Sequence, residues 1–262
     1  MPSKLAVQMY TIREFVKTGK ELAESLKKVR EIGYEAVQLS AIGAMEGEKP
    51  EVSATEARKM LDDQGIKCIA THVGWHGLRY HIEREIETHQ ILGCDFTAIG
   101  SIPGNYGEKG EAGYVEFVAD AEAIIAKLKY AGIRFGYHNH AFEFKRIGPG
   151  RRTLFDIFIE AKNPDFLLEQ DVYWTDHAGV NPVRIFERAP NRQPVIHLKD
   201  KEIDENGQPV MAPIGEGNLD WDGILPACEA AGVEWYAIEQ DTCRRDPFDC
   251  LKSSYEFLKD RL

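Results

Sequence analysis

The chain has 262 residues, 43% of them hydrophobic and 29% charged, and its 32 basic against 43 acidic side chains leave a formal net charge of −11. That length suits one α/β barrel, and the composition is ordinary for a soluble globular protein that buries most of the surface its unfolded chain exposes. An acidic excess supplies no Lys/Arg surplus to neutralise phosphates, which argues against nucleic acid or an anionic membrane as the main partner.

Apolar periodicity and β-branched or aromatic enrichment divide the chain into alternating strands and helices. The first strand is predicted over Leu5 to Tyr10 and the first helix over Lys20 to Ile32. Strand Ala36 to Leu39 precedes helix Ser53 to Gln64, strand Lys67 to His72 precedes helix Arg79 to Leu92, and strand Phe96 to Gly100 precedes helix Tyr114 to Tyr130. The second half repeats the pattern. Strand Ile133 to Asn139 is followed by helix Thr153 to Ala161, strand Phe166 to Asp171 by helix Asn181 to Ala189, strand Pro194 to Lys199 by helix Trp221 to Ala231, and strand Tyr236 to Glu239 by helix Pro247 to Arg261.

One device recurs between helix and strand. Gly33, Gly65, Gly93, Gly132 and Gly232 each stand just after a predicted helix and just before a strand. Glycine enters the left-handed conformation that ends a helix at little cost, so the repetition points to one repeated unit. Ser53 and Glu56 form a capping-box pattern at the start of their helix. Alternating β and α predicts a parallel sheet, and eight of each favours a single closed (β/α)8 TIM barrel spanning residues 1–262. No Gly-rich dinucleotide fingerprint follows the first strand, where Tyr10-Thr11-Ile12-Arg13 stands instead; this weakens the open Rossmann alternative. The Gly-rich pieces 43–49, 104–113 and 148–150 fall in loops that follow strands, on the face where barrel enzymes place their sites.

The five cysteines, Cys68, Cys94, Cys228, Cys243 and Cys250, are odd in number and form no C-x-x-C pair. Cys68, Cys94 and Cys228 sit in apolar or helical context and read as small core residues, and no disulfide framework is evident, which fits a reducing cytoplasm. The N-terminal residues Met1 to Leu5 run straight into a strand pattern without a signal-peptide core. No apolar run approaches the ~20 residues that span a bilayer.

Four of the strands close on polar segments: Tyr137-His138-Asn139-His140, Glu169-Gln170-Asp171, His197-Leu198-Lys199-Asp200 and Ile238-Glu239-Gln240-Asp241. In a closed barrel these ends share one pocket, joined by Gln8 and Tyr10 on the first strand, Gln38 on the second, and His72 with Trp75 after the third. Each group alone has an ordinary structural role: His138 and His140 as strand-end residues bonded to loops, Asp171 as a helix cap or ion-pair partner of Lys199 or Arg184, His197 and Glu239 as satisfied core residues. Together, imidazoles and carboxylates on four consecutive strands suit a divalent metal, with Mn first and Co, Zn, Fe or Mg as alternatives. Tyr10, Trp75 and Trp174 pack in the core or stack on a sugar ring. The stretch Ile214 to Trp221 looks like a phosphate cradle but lacks a basic anchor, and is read as a tight turn leading to the helix cap Asp220.

As a set these motifs resemble the sugar phosphate isomerase/epimerase superfamily of xylose-isomerase-like barrels. The resemblance covers nearly the full length and rests on residues 7–13 and 32–38, Tyr137-His138-Asn139-His140 with Phe142-Glu143-Phe144, Asp171-Val172-Tyr173-Trp174, His197-Leu198-Lys199-Asp200, Gly215-Glu216-Gly217 with Asp220-Trp221, and Ile238-Glu239-Gln240-Asp241. It implies one divalent metal, often Mn, with Asp171, His197 and Glu239 as ligands by position. The strand-five ligand, commonly Glu, is replaced by His138, with Glu143 the nearest carboxylate. That replacement looks like the inosose dehydratase branch. Gln38 and Trp174 also depart from residues common in epimerases.

The expected chemistry is proton transfer next to the carbonyl of a keto-sugar or cyclitol. His140, Glu143 and His72 are the candidate bases, in that order, Lys199 steadies an oxyanion, and Gln8, Tyr10, Trp75 and Trp174 contact substrate. Isomerisation or epimerisation is the first reading, and dehydration of an inosose or 3-keto-sugar the second. Metal-dependent phosphodiester hydrolysis, as in endonuclease IV of the same superfamily, needs more ligands and a basic face. A non-catalytic sugar-binding barrel is the reading from another class. The expected partner is a small sugar or cyclitol, with a homo-oligomer allowed and neither nucleic acid nor membrane.

Overall fold

A computed structural model describes residues 4–262; residues 1–3, read above as leading into the first strand, lie outside the described residues. All eight predicted barrel strands form: β1 (Leu5–Gln8), β2 (Ala36–Leu39), β3 (Lys67–His72), β4 (Phe96–Ile99), β5 (Arg134–His138), β6 (Phe166–Glu169), β7 (Val195–Leu198) and, eighth in the barrel, β10 (Trp235–Ile238). They pair in parallel in the order β6-β5-β4-β3-β2-β1-β10-β7. The seam between β6 and β7 is closed by a parallel bridge between Asp171 and His197, where the His197 amide donates to the Gln170 carbonyl at 2.9 Å. The sheet is therefore a (β/α)8 barrel.

The main outer helices are α1 (Gly19–Ile32), α2 (Ala54–Gln64), α4 (Ile82–Leu92), α6 (Glu111–Tyr130), α7 (Leu154–Ile159), α9 (Pro182–Arg188), α10 (Trp221–Ala230) and α11 (Pro247–Leu258). The helix expected from Arg79 is broken: α3 (Trp75–Tyr80) ends at His81, whose φ of −135° and ψ of 32° are not helical. Two further short helices, α5 (Gly104–Gly107) and α8 (Val172–His177), occupy segments read as loop. The predicted glycine device holds at every position. Gly33, Gly65, Gly93, Gly132 and Gly232 all have positive φ, and the Ser53–Glu56 capping box is complete.

Along each strand alternate side chains enter the barrel. Ala6, Ala36, Ile69, Ala70, Phe96, Ala98, Val195 and Ala237 make a small inner cluster, with Leu167 and Trp235 against it. The opposite faces pack under the helices in two larger clusters. One includes Val7, Val37, Ile196 and Ile238, the other Phe135, Tyr137, Phe166 and Leu168. Fully burying such side chains contributes about 1.5–3 kcal/mol each. The polar residues that end the strands sit on this apolar plug. All five cysteines are free, and Cys68, Cys94, Cys228 and Cys250 are buried. Among the described residues no helix is long and apolar enough to cross a membrane.

The sequence reading missed a hairpin after β7, made of β8 (Asp200–Ile203) and antiparallel β9 (Pro209–Ala212). Its turn holds Asn206-Gly207, with Gly207 at φ 75°, a strong local hairpin signal. The stretch 214–221 beyond it does form a nest of backbone amides, but the chain fills that nest itself. Gly215, Gly217 and Leu219 amides and the Trp221 indole all donate to the Asp200 carboxylate. Asp220 caps α10 as expected.

A Cβ on Gly217 would lie 2.3 Å from Asp200 Oδ1 and 2.6 Å from the Lys201 carbonyl. Gly217→Ala is therefore expected to destabilise by about 1–3 kcal/mol through overpacking. Gly65→Ala, at φ 64° with nothing within 4 Å, should lose about 1 kcal/mol from backbone strain alone. Urea unfolding of both variants checks the order; an equal loss at the two sites would contradict the nest.

Candidate active site

The inner positions at the C-terminal ends of the strands form a polar ring. Gln8 ends β1, Gln38 lies on β2, His72 ends β3, His138 ends β5, Glu169 ends β6 and His197 lies on β7. Asp171, Lys199 and Glu239 stand just past β6, β7 and β10. All but His72 are buried. Above the ring opens a cleft of about 340 Å³, lined by Gln8, Tyr10, Ser40, His72, Gly100, His138, His140, Lys199, Glu239 and Asp241.

Two centres organise the ring. The first is Glu169 Oε2, which faces His72 Nε2 at 2.5 Å, His197 Nε2 at 3.2 Å and His138 Nδ1 at 3.5 Å. Its other oxygen accepts from Gln38 Nε2 at 2.8 Å. The second is the Lys199 ammonium, within 3.0 Å of Asp171, 2.8 Å of Glu239 and 2.9 Å of Asp241. His197 joins the two: Nδ1 lies 2.7 Å from Glu239 Oε2, and Nε2 lies 2.8 Å from Gln38 Oε1. Asp171 also caps α8, accepting from the Trp174 amide at 2.9 Å. Both roles considered for it in isolation, cap and ion-pair partner of Lys199, are therefore present.

Burial works against every charge here, and the outcome depends on the neighbours. Burial opposes the imidazolium of His197, but Glu169 and Glu239 outweigh it and push its pKa up to about 10. Burial likewise opposes the Lys199 ammonium, and Asp171, Glu239 and Asp241 hold it charged. Glu169 and Glu239 stay ionised far below the ordinary range despite burial, through His197 and His72 in one case and Lys199 and His197 in the other. Asp171 is raised to about 6 because burial exceeds the pull of Lys199. The two strand-five histidines go the other way. Burial, then His197, keeps His138 neutral, and burial, then Lys199, lowers His140 to about 4.

The ring offers two overlapping groups able to hold a cation: His72, His138, Glu169 and His197, and Asp171, His197 and Glu239, each with donor atoms within 4.8 Å of one another. His138 Nδ1 and Asp171 Oδ2 are buried without a hydrogen-bond partner, although the Asp171 oxygen lies near the Lys199 ammonium. An unpartnered imidazole nitrogen beside buried carboxylate oxygens fits a divalent ion of the Mn–Zn class.

The structure thus brings together His72, His138, His140, Asp171, His197, Lys199, Glu239, Gln8 and Tyr10. Gln8 Oε1 also accepts from the Tyr10 amide at 2.8 Å. Glu143 is buried away from the cleft lining: it accepts from the Tyr137 hydroxyl at 2.6 Å and the His140 amide at 2.9 Å, bracing the loop behind His140. Burial raises its pKa to about 7. Trp174 stands behind His140, ring centres 5.5 Å apart. Trp75 lies elsewhere, packed on Tyr106 and Phe117 in the helix-side core. Two participants were not singled out beforehand. Glu169 shares the inward face with Asp171 two residues on, so alternation could have found it. Asp241 lies beyond β10, where alternation gives no direction.

The unfolded chain protonates histidine near 6.5, whereas the folded chain holds His140 neutral down to about 4. Folding stability from this group is present above 6.5 and lost as pH falls through that window. Thermal midpoints of metal-free protein between pH 7 and pH 4 should fall less steeply in His140→Gln than in the unsubstituted chain. Identical slopes would remove the assignment of a depressed pKa to His140.

A sugar phosphate isomerase/epimerase from Parabacteroides distasonis ATCC 8503 superposes on this chain with a TM-score of 0.81 at 22% identity, over 98% of each chain. A probable 3-DHS dehydratase involved in petrobactin synthesis, from Bacillus anthracis, gives 0.74 at 14% identity, covering 99% of this chain and 100% of its own. An L-ribulose 3-epimerase gives 0.71 at 13% identity, covering 98% and 93%. These likenesses establish the fold. No curated protein matches the chain. The sequence profile of the xylose isomerase-like TIM barrel family matches residues 26–261, and the chain belongs to that family.

Proposed function

We propose that this chain is an enzyme of the sugar isomerase/epimerase type, which moves a proton at the carbon next to the carbonyl of a keto-sugar or cyclitol. The observation that carries the reading is His140. It is a neutral imidazole on the cleft wall, its Nδ1 buried and without a hydrogen-bond partner, beside a ring that fits a divalent cation.

His140 is the base. Its ring stacks on Phe142 at 5.7 Å and packs against Trp174, and Glu143 fixes its backbone amide. A rigid, desolvated imidazole keeps its lone pair at neutral pH and needs no reorganisation before it takes a proton. Lys199 holds a permanent positive charge at the cleft floor, where the negative charge that develops on the substrate oxygen is favoured. Tyr10, Gln8 and Ser40 line the sugar-facing wall. His72 hydrogen-bonds Glu169 and is committed to the ring rather than free to act as the base. A divalent cation held by the His/Glu/Asp cluster, with Mn the first choice, would polarise the carbonyl.

One observation favours loss of a β-hydroxyl as the second reading. Of the cleft-lining acid and base groups, Glu239 and Asp241 face Lys199, and His72 and the almost fully buried His138 face Glu169. His140 is left as the free base on one wall. A single base suffices for elimination, whereas epimerisation requires proton return on the other face.

The test is deuterium incorporation from D2O across a panel of keto-sugars and inososes, with Mn2+ supplied. Label is expected at the carbon beside the carbonyl for at least one member. His140→Gln should slow it by roughly 10²–10⁴-fold while Mn2+ binding persists. No label in any member, with Mn2+ bound, would turn the reading into a non-catalytic sugar-binding barrel.

A further inference from the structure

We propose that the cleft between the loop after β5, α7 and α9 binds a small phosphorylated molecule of the nucleoside-diphosphate kind, at a site separate from the polar ring. The cleft holds about 480 Å³, against about 340 Å³ above the ring, and the two share no lining residue. Arg146, Arg151, Arg184 and Arg188 line it, together with one acid, Asp156. Its volume falls within the roughly 300–1,000 Å³ that encloses a small organic ligand.

The first argument is charge. The chain carries a net −11, so four guanidiniums in one recess run against the balance of the molecule. Elsewhere exposed arginines face acids, as Arg58 faces Asp62, Arg79 faces Asp120 and Arg245 faces Glu216. In this cleft only Arg188 does, on Asp156. The other Asp156 oxygen is spent on the cap of α7, accepting from the Thr153 amide at 2.5 Å and its hydroxyl at 2.8 Å. Arg146 donates to the Gly150 carbonyl at 2.9 Å. Glu111 and Glu160 pair with Arg152, which does not line the cleft. Among the described residues, Arg151 and Arg184 make no ion pair. Like charges gathered around one recess with a single carboxylate repel one another, and a bound anion removes that repulsion.

The second argument is the choice of cation. Every basic residue lining the cleft is an arginine. A guanidinium presents five N–H donors in a planar fork that fits phosphate oxygens two at a time. Arg188 and Arg146 are already aimed by the chain, through Asp156 and the Gly150 carbonyl, and each spends one N–H on that contact. Ordering them beforehand lowers the cost of binding. Four such forks suit a diphosphate better than a single phosphate.

The third argument is the floor. Phe144, Phe155 and Ile185 lie beneath the arginines, and the partly buried Ala178 and Val180 present apolar surface beside them. An inorganic anion leaves that surface wet, whereas an organic body covers it. An extended polyanion fits less well: an enclosed recess admits only a short piece of it, and the acidic remainder of the chain repels nucleic acid and anionic membrane alike.

Isothermal titration of the full chain with ADP, pyrophosphate and adenosine tests this without reference to turnover. ADP is expected to bind, pyrophosphate more weakly because it leaves the floor uncovered, and adenosine not measurably. Arg151→Gln and Arg184→Gln should each weaken ADP binding by roughly tenfold, the loss of one charge-assisted partner. Arg261→Gln, the same change of charge at an exposed arginine paired with Asp222, should leave it unaltered. Because neither Arg151 nor Arg184 has an acid to lose, the thermal midpoints of their ligand-free variants should equal or exceed that of the unsubstituted chain. That separates lost binding from lost fold, and a fall in both midpoints would contradict the free guanidiniums on which the site is built. Absence of ADP binding, adenosine or pyrophosphate binding as tightly as ADP, or ADP binding indifferent to the two cleft substitutions overturns the proposal.

Discussion

The mouth of this barrel depends on mutual neutralisation of charges that could not be buried singly. Glu169, Asp171 and Glu239 lie with His197 and Lys199 in an interior that water barely reaches. Removing one partner from such a set typically costs about 3–5 kcal/mol, because the charge left behind has no solvent. The pairs come from four strands and from sequence separations as large as that between Gln38 and His197, which meet at 2.8 Å. The ring therefore exists only when the sheet closes. The seam of the barrel, the bridge between Asp171 and His197, uses two of the ring's own residues. Fold and site are not separable at that seam.

The same neutralisation sorts the imidazoles. His197 lies between two carboxylates and is held charged, while His138 and His140, one strand over, are buried without comparable compensation and are held neutral. Identical side chains are thus pushed in opposite directions by their neighbours alone. Lys199 contributes to both outcomes: it holds Glu239 ionised and depresses His140.

The loop after β7 shows the same principle on a smaller scale. Asp200 is buried and satisfied by four backbone amides, of Lys201, Gly215, Gly217 and Leu219, and the Trp221 indole. A cradle of glycine amides usually signals a bound anion, and here the anion is part of the chain. The contact pins the hairpin and the start of α10 at the end of the strand that carries His197 and Lys199, so the loop above the ring is anchored rather than left to follow a ligand. Glu143 does the equivalent for His140 from behind, joining Tyr137 on the outer face of β5 to the loop that carries His140.

Sequence alone determined the barrel, because its determinants are local and repeated: five glycines at helix ends, a capping box, and apolar runs of strand length. It also determined which strand ends are polar, since alternation along a strand places His138 with His140 and His197 with Lys199 whatever the rest of the chain does. The break at His81 is a single residue and α8 spans only six, both below the length at which apolar periodicity is legible. The Asn206-Gly207 hairpin had a signal that a strict eight-strand count passed over. Tertiary structure decided the partners. That Glu169 stands at the centre of three histidines and that Lys199 neutralises three acids are consequences of strands far apart in sequence meeting around a closed ring, while Trp75 packs on Phe117 between helices and Glu143 reaches the Tyr137 hydroxyl across a short loop. Protonation state and ligand geometry are set by such neighbours through space, and no periodicity in one strand carries information about them.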